Sequence, residues 1–172
     1  LNKSTQSDFT IYYDVFTGSY LESLNENFDK MNLPYYYITE NWKTTNEVFV
    51  SSSKSLSNAP NDKYKGGQLD TLIFLPVEIR NNEDLYITFM QICRVFPDDS
   101  ALIEISYDDM ENWQKLANFN NLNYEEWNKD ELNNSNWKFE RLTIPYKDNA
   151  KRVFVRLRFK SNLFRHGDGW YL

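Results

Sequence analysis

A single cysteine, Cys93, occurs in the 172 residues, which excludes an internal disulfide and a cysteine-rich zinc cluster. It lies between Ile92 and Arg94 in an alternating run and reads as a core thiol rather than a nucleophile. Apolar runs are short: Leu72-Ile-Phe-Leu75 has the length of a strand, far below the roughly 20 residues of a helical membrane span, so no direct membrane insertion is expected. The chain also lacks a basic stripe interleaved with aromatics. With 19 basic against 25 acidic residues and a net charge of −6, nucleic acid is not an expected partner. No His-Glu-x-x-His, no phosphate-binding glycine loop, no dinucleotide fingerprint, no heptad run and no internal repeat is present. The want of disulfides leaves secretion open, because a chain of this length buries enough core to fold without them.

What is abundant is aromatic: 17% of the chain, with 12 Tyr, 12 Phe and 5 Trp, together with many Asn and little Ala. That mixture favours strands and turns. Period-two alternation confirms the direction. Residues 101–107 put Ala101, Ile103, Ile105 and Tyr107 on one face and Glu104 and Ser106 on the other, a half-buried strand. Residues 85–93 are largely apolar on both faces, as in a central strand covered on both sides or one reaching an aromatic-lined end. Residues 152–160 alternate strictly. Weaker runs cover 10–16, 35–42, 47–52, 70–75 and 137–144, with turn clusters at 57–62 and 97–100. Roughly eight to ten strands predict an all-β fold, an antiparallel β-sandwich of the jelly-roll kind. Residues 122–136 are polar and read as a surface loop with at most one helical turn. Residues 1–20 read as an added edge strand or the tail of a preceding domain, and residues 21–172 as the sandwich module.

Several pieces come in a shared order: Asn27-Phe-Asp29, Trp42, Gly67-Gln-Leu-Asp-Thr-Leu-Ile-Phe-Leu-Pro-Val-Glu-Ile79, Ile103-Glu-Ile-Ser-Tyr-Asp-Asp-Met-Glu-Asn-Trp113, Trp137-Lys-Phe-Glu-Arg-Leu-Thr-Ile144, Val155-Arg-Leu-Arg-Phe-Lys-Ser161 and Asp168-Gly-Trp-Tyr-Leu172. In that order they resemble the MAM-like and cleaved-adhesin-type jelly-roll domains (galactose-binding-like sandwiches) of secreted bacterial peptidases and Bacteroidetes-type surface proteins, over residues 20–172. The resemblance implies an extracellular, cell-surface or secreted location and a noncatalytic accessory or adhesion role. It implies a glycan or protein ligand, or a spacer or docking domain positioning a neighbouring peptidase domain. Related domains usually have glycine where Met110 stands, and continue past Trp-Tyr-Leu with an acidic residue and a β-branched strand, so a truncated last strand is expected here. They also hold a structural calcium where the first strand, a long loop and the last strand meet; by position its ligands would be Glu26, Asp29, Asp62, Asp70 and Asp168. Calcium requires six to eight oxygens, so these side chains would have to converge.

Carbohydrate binding needs an exposed aromatic platform beside polar groups. Trp127 and Tyr124, set in the polar segment, and Trp42 are the candidate rings. The one histidine, His166, stands two residues from Asp168 but no serine carries an elbow-type sequence, so it reads as a loop residue. No enzymatic apparatus is expected.

Overall fold

The structure, a computed structural model, describes residues 21, 23, 25–29, 35–51, 53–80, 84–129 and 131–172. The expected strand at residues 10–16 and the rest of residues 1–20 lie outside the described residues. Eleven strands occur among the described residues: β1 Tyr35–Ile38, β2 Lys43–Thr45, β3 Ser55–Ser57, β4 Leu69–Phe74, β5 Val77–Glu78, β6 Leu85–Arg94, β7 Ser100–Ser106, β8 Gln114–Phe119, β9 Lys138–Ile144, β10 Arg152–Lys160 and β11 Gly169–Tyr171. They form two antiparallel sheets packed as a β-sandwich, one in the order β1-β4-β10-β7-β8 with β5 also on β10, the other β2-β3-β11-β6-β9.

The strict alternation of β10 explains its central place. Val153, Val155, Leu157 and Phe159 face the core between the sheets, where each apolar side chain of this size removed from water contributes roughly 1.5–3 kcal/mol. The alternate residue Arg156 lies outward, paired to Glu104 of β7 at 2.6 Å and stacked over Trp113 at 4.0 Å. Its aliphatic stem and ring contact cover the outer face, so Glu104 and Ser106 are buried too and β7 is covered on both sides rather than half-buried.

β6 departs in the opposite sense. Its odd-numbered residues face the core, but Tyr86 and Thr88 are exposed, because nothing among the described residues covers the outer face of β6 and β9 there. The run at 47–52 does not form a strand over its described residues; the chain pairs instead at β2 and β3, where Ser55 Oγ donates to the Val48 carbonyl at 2.6 Å. Within 122–136, two 3-10 turns occur, Glu125–Asn128 and Asn134–Asn136.

Two local devices close the fold. Asp109 and Met110 have φ of 59° and 73°, and Glu111 N–H donates to the Asp108 carbonyl at 3.2 Å, the geometry of a type I′ hairpin turn, with Met110 left-handed where a glycine is usual. The Asp108 carboxylate accepts from the Asn112 backbone and side chain and from Ser106 Oγ, which lowers its pKa to about 2. At the other end, Gly169 has φ of 99°, and a β-carbon there would stand 2.9 Å from Ala59 Cβ and Asn58 Oδ1. Gly167 is required sterically instead, since its β-carbon would strike the Arg94 carbonyl and the Tyr64 ring.

Gly169→Ala is therefore expected to cost at least about 2 kcal/mol in urea unfolding, from a forced left-handed conformation plus the clash. The folded pKa of Asp108 lies below its ordinary value of 3.8, so its contribution is complete above that pH and is lost as pH falls through about 2. Asp108→Ala is expected to flatten the fall of unfolding free energy between these two pH values; an unchanged slope would refute the anchoring role.

Candidate functional site

The three aromatic candidates divide on burial. Trp127 is only 1% exposed: the 3-10 turn that holds Glu125 at the surface rotates its ring inward, and its Nε1 donates to the Asn136 carbonyl at 2.8 Å. Asn133 and Asn136 cap the following turn reciprocally and hold that carbonyl in place. Trp42 is 2% exposed and packs against Trp170 at 5.9 Å between ring centroids. Tyr124 is half-buried, edge-on to Trp127 at 4.6 Å, with its hydroxyl donating to Glu140 Oε1 at 3.0 Å. These rings form core and core rim, not an exposed platform, which corrects the expectation from sequence. Charged neighbours kept solvent near Trp127 in sequence but not in space.

The five carboxylates do not gather. Asp62 is an exposed turn residue accepting from the Lys63 amide at 2.7 Å. Glu26 accepts from the Asn27 and Phe28 amides, and Asp29 from Asn27 Nδ2 and Ser53 Oγ. Asp168 is neutralised by Arg94 at 2.5 Å, whose other arm donates to the Lys129 carbonyl. Asp70 is wholly buried, and its oxygens accept from Asn41 Nδ2 at 2.7 Å, Thr39 Oγ1 at 3.3 Å, Asn58 Nδ2 at 3.4 Å and Gln68 Nε2. Four donors occupy the lone pairs of this one carboxylate. Among the described residues no three His, Cys, Asp or Glu side chains come together in a way that would hold a metal ion, so the residues do not fit the calcium site that the resemblance implied.

Side chains with reactive potential are engaged elsewhere. Cys93 is completely buried, and burial pushes its thiol pKa up. His166 is exposed in the loop between β10 and β11, and its Nδ1 hydrogen-bonds the Tyr64 carbonyl at 2.9 Å. Tyr64 in turn donates its hydroxyl to Asp99 at 2.6 Å, and burial followed by that contact raises its pKa. Ser161 Oγ donates to the Lys65 carbonyl and Ser106 Oγ to Asp108.

Two exposed aromatics share the outer face of β6 and β9. Tyr86 is 54% exposed and Phe139 61%. The guanidinium of Arg141 stands over the Tyr86 ring at 4.1 Å. In the register Tyr86 opposes Thr143, Thr88 opposes Arg141 and Met90 opposes Phe139, so all six side chains share one face. Tyr86 and Phe139 stand four residue steps apart along the strands, about 13 Å at a strand rise near 3.3 Å. Sequence reading missed this face. Its signal was present in the alternation Phe139, Arg141, Thr143, but the apolar character of β6 on both sides pointed to a covered strand. A second exposed apolar feature, Leu163 and Phe164, sits in the loop between β10 and β11.

Neither a scan against protein-family models nor a search of curated proteins returned a match for this chain.

Replacing the Asp70 carboxylate by an amide puts an NH2 donor where an acceptor oxygen faced donors. Asp70→Asn is expected to destabilise the protein by roughly 2–3 kcal/mol in denaturant unfolding, the range for hydrogen bonds to a charged group; a loss below about 0.5 kcal/mol would show that the network is not held by the charge.

Proposed function

We propose that this protein is a noncatalytic accessory or adhesion module, a jelly-roll sandwich of the MAM-like kind, belonging to a larger secreted or surface protein and binding a glycan on the outer face of β6 and β9. The observation that carries the reading is the pair of exposed rings, Tyr86 and Phe139, on one flat strand face with Arg141 and Thr88 between them. The C–H faces of a sugar stack on such rings, while a guanidinium and a hydroxyl supply fixed partners for its hydroxyl groups. Two rings about 13 Å apart suit an oligosaccharide chain better than a single sugar. Binding is favoured over chemistry because Cys93, His166, Asp70 and Glu104 are all engaged in packing or pairing.

A protein ligand is the second reading, in which the module docks a neighbouring domain such as a peptidase. The exposed Leu163 and Phe164, 72% and 87% accessible and followed by Arg165, favour it.

The test is a glycan and polysaccharide array with the purified protein. Specific binding is expected, weakened about tenfold or more by Tyr86→Ala and by Phe139→Ala. Both are surface changes, so unfolding free energy should stay within about 0.5 kcal/mol. Undiminished binding by both variants would remove the β6–β9 face; a blank array on folded protein would move the assignment to the docking reading.

A further inference from the structure

Five arginines lie within the strands: Arg94, Arg141, Arg152, Arg156 and Arg158. Four of them meet a carboxylate. Arg94 is paired to Asp168 and Arg152 to Asp109, while Arg156 and Arg158 both reach Glu104, at 2.6 Å and 3.8 Å. Arg141 of β9 is the exception: among the described residues no carboxylate pairs with it and no acceptor takes a hydrogen bond from it.

Its neighbours do not supply the missing charge. The side chains that share its face, Tyr86, Thr88, Met90, Phe139 and Thr143, are all uncharged. Glu140, next in sequence, is turned away and accepts from Gln91 Nε2 and the Tyr124 hydroxyl. Asp84, just before β6, accepts from the Tyr146 amide at 2.9 Å. In a chain of net charge −6, this face therefore carries a cation and no acid.

Tyr86 holds that cation in place. The guanidinium stands 4.1 Å over the ring centroid, a contact made through its flat face, and Arg141 is exposed. Such a stack leaves the in-plane N–H donors to solvent, so the planar fork is held while its hydrogen bonds remain for a ligand. Thr88, directly opposite in the register, adds a hydroxyl beside it.

We propose that Arg141 receives the carboxylate of a hexuronic acid, so that the ligand of the β6–β9 face is an acidic polysaccharide. The inference rests on the glycan reading and names the class of glycan. A carboxylate matches the guanidinium fork with two parallel hydrogen bonds. A neutral sugar covering the face would take the cation out of water without a counter-charge, which counts against it. The face continues from Tyr86 past Arg141 to Phe139, so the acid belongs to a chain of sugars rather than to a single free acid.

The experiment is calorimetric titration of the whole chain with matched pairs of oligosaccharides, galacturonate, mannuronate and glucuronate series against their carboxyl-reduced, neutral forms. At least one acidic series is expected to bind about tenfold or more tighter than its reduced form. Arg141→Gln should abolish that preference, while Lys160→Gln, an exposed cation on β10 of the other sheet, should leave it intact. Acidic and reduced forms bound equally, and still weakened by Tyr86→Ala, would overturn this inference and leave the glycan reading standing. No binding of any saccharide, acidic or neutral, would remove both. An equal loss of preference in Lys160→Gln would reduce the effect to overall charge and overturn the site. A sulfated oligosaccharide or a glutamate-rich peptide bound as tightly as the uronates would overturn the assignment of the ligand.

Discussion

A single buried carboxylate holds together segments that the chain brings from three places. Asp70 on β4 accepts from Thr39 and Asn41 after β1, from Asn58 after β3, and from its neighbour Gln68. Asn58 turns its other amide atom, Oδ1, to the Trp170 N–H at 2.8 Å. An ionised group in an apolar interior is tolerable only when its lone pairs are satisfied, and here neutral donors satisfy them. The requirement runs both ways: the carboxylate must find these donors, and their backbone segments are fixed by finding it. Asp70 sits in β4 of one sheet and Trp170 in β11 of the other, with Asn58 just past β3 joining them, so the network links the two sheets.

The second sheet depends on that junction. Its order places the three residues of β11 between β3 and β6, so without β11 the sheet separates into two parts. Gly169 lets the chain turn into β11 against Asn58 and Ala59, and Trp170 then anchors it with a fully buried ring whose Nε1 donates to Gln91 at 2.7 Å. Gln91 passes the connection to Glu140, which also accepts from Tyr124. The polar thread from Asp70 to Tyr124 thus crosses the core, and each member is needed to keep the next from being buried unsatisfied.

The legible parts of the sequence were those whose partners are periodic. β7, β9 and β10 could be read as strands from their alternation, although the polar face of β7 proved to be covered as well. The β-sandwich followed from these strands. Trp127 was misjudged because Glu125 and Glu126 describe the solvent side of a short 3-10 turn and say nothing of the ring one residue on. The donors around Asp70 are separated by up to 31 residues from it, so no local pattern announces them. For the same reason the calcium ligands chosen by position proved to serve as caps, an ion pair and a buried acceptor. The face of Tyr86 and Phe139 needed the register between β6 and β9, which joins residues about fifty apart.

β6 is the strand that joins the core to the exposed face, and its geometry explains how. Odd-numbered residues enter the core, where Phe89 meets Phe119 edge-on at 6.1 Å and Gln91 holds Trp170. Tyr86 and Thr88 turn their side chains to the open face, whereas Ile92, farther along where Tyr171 pairs beside it, is fully buried. Rings presented by a strand already ordered by its pairing to β9 lose less freedom when any ligand stacks on them.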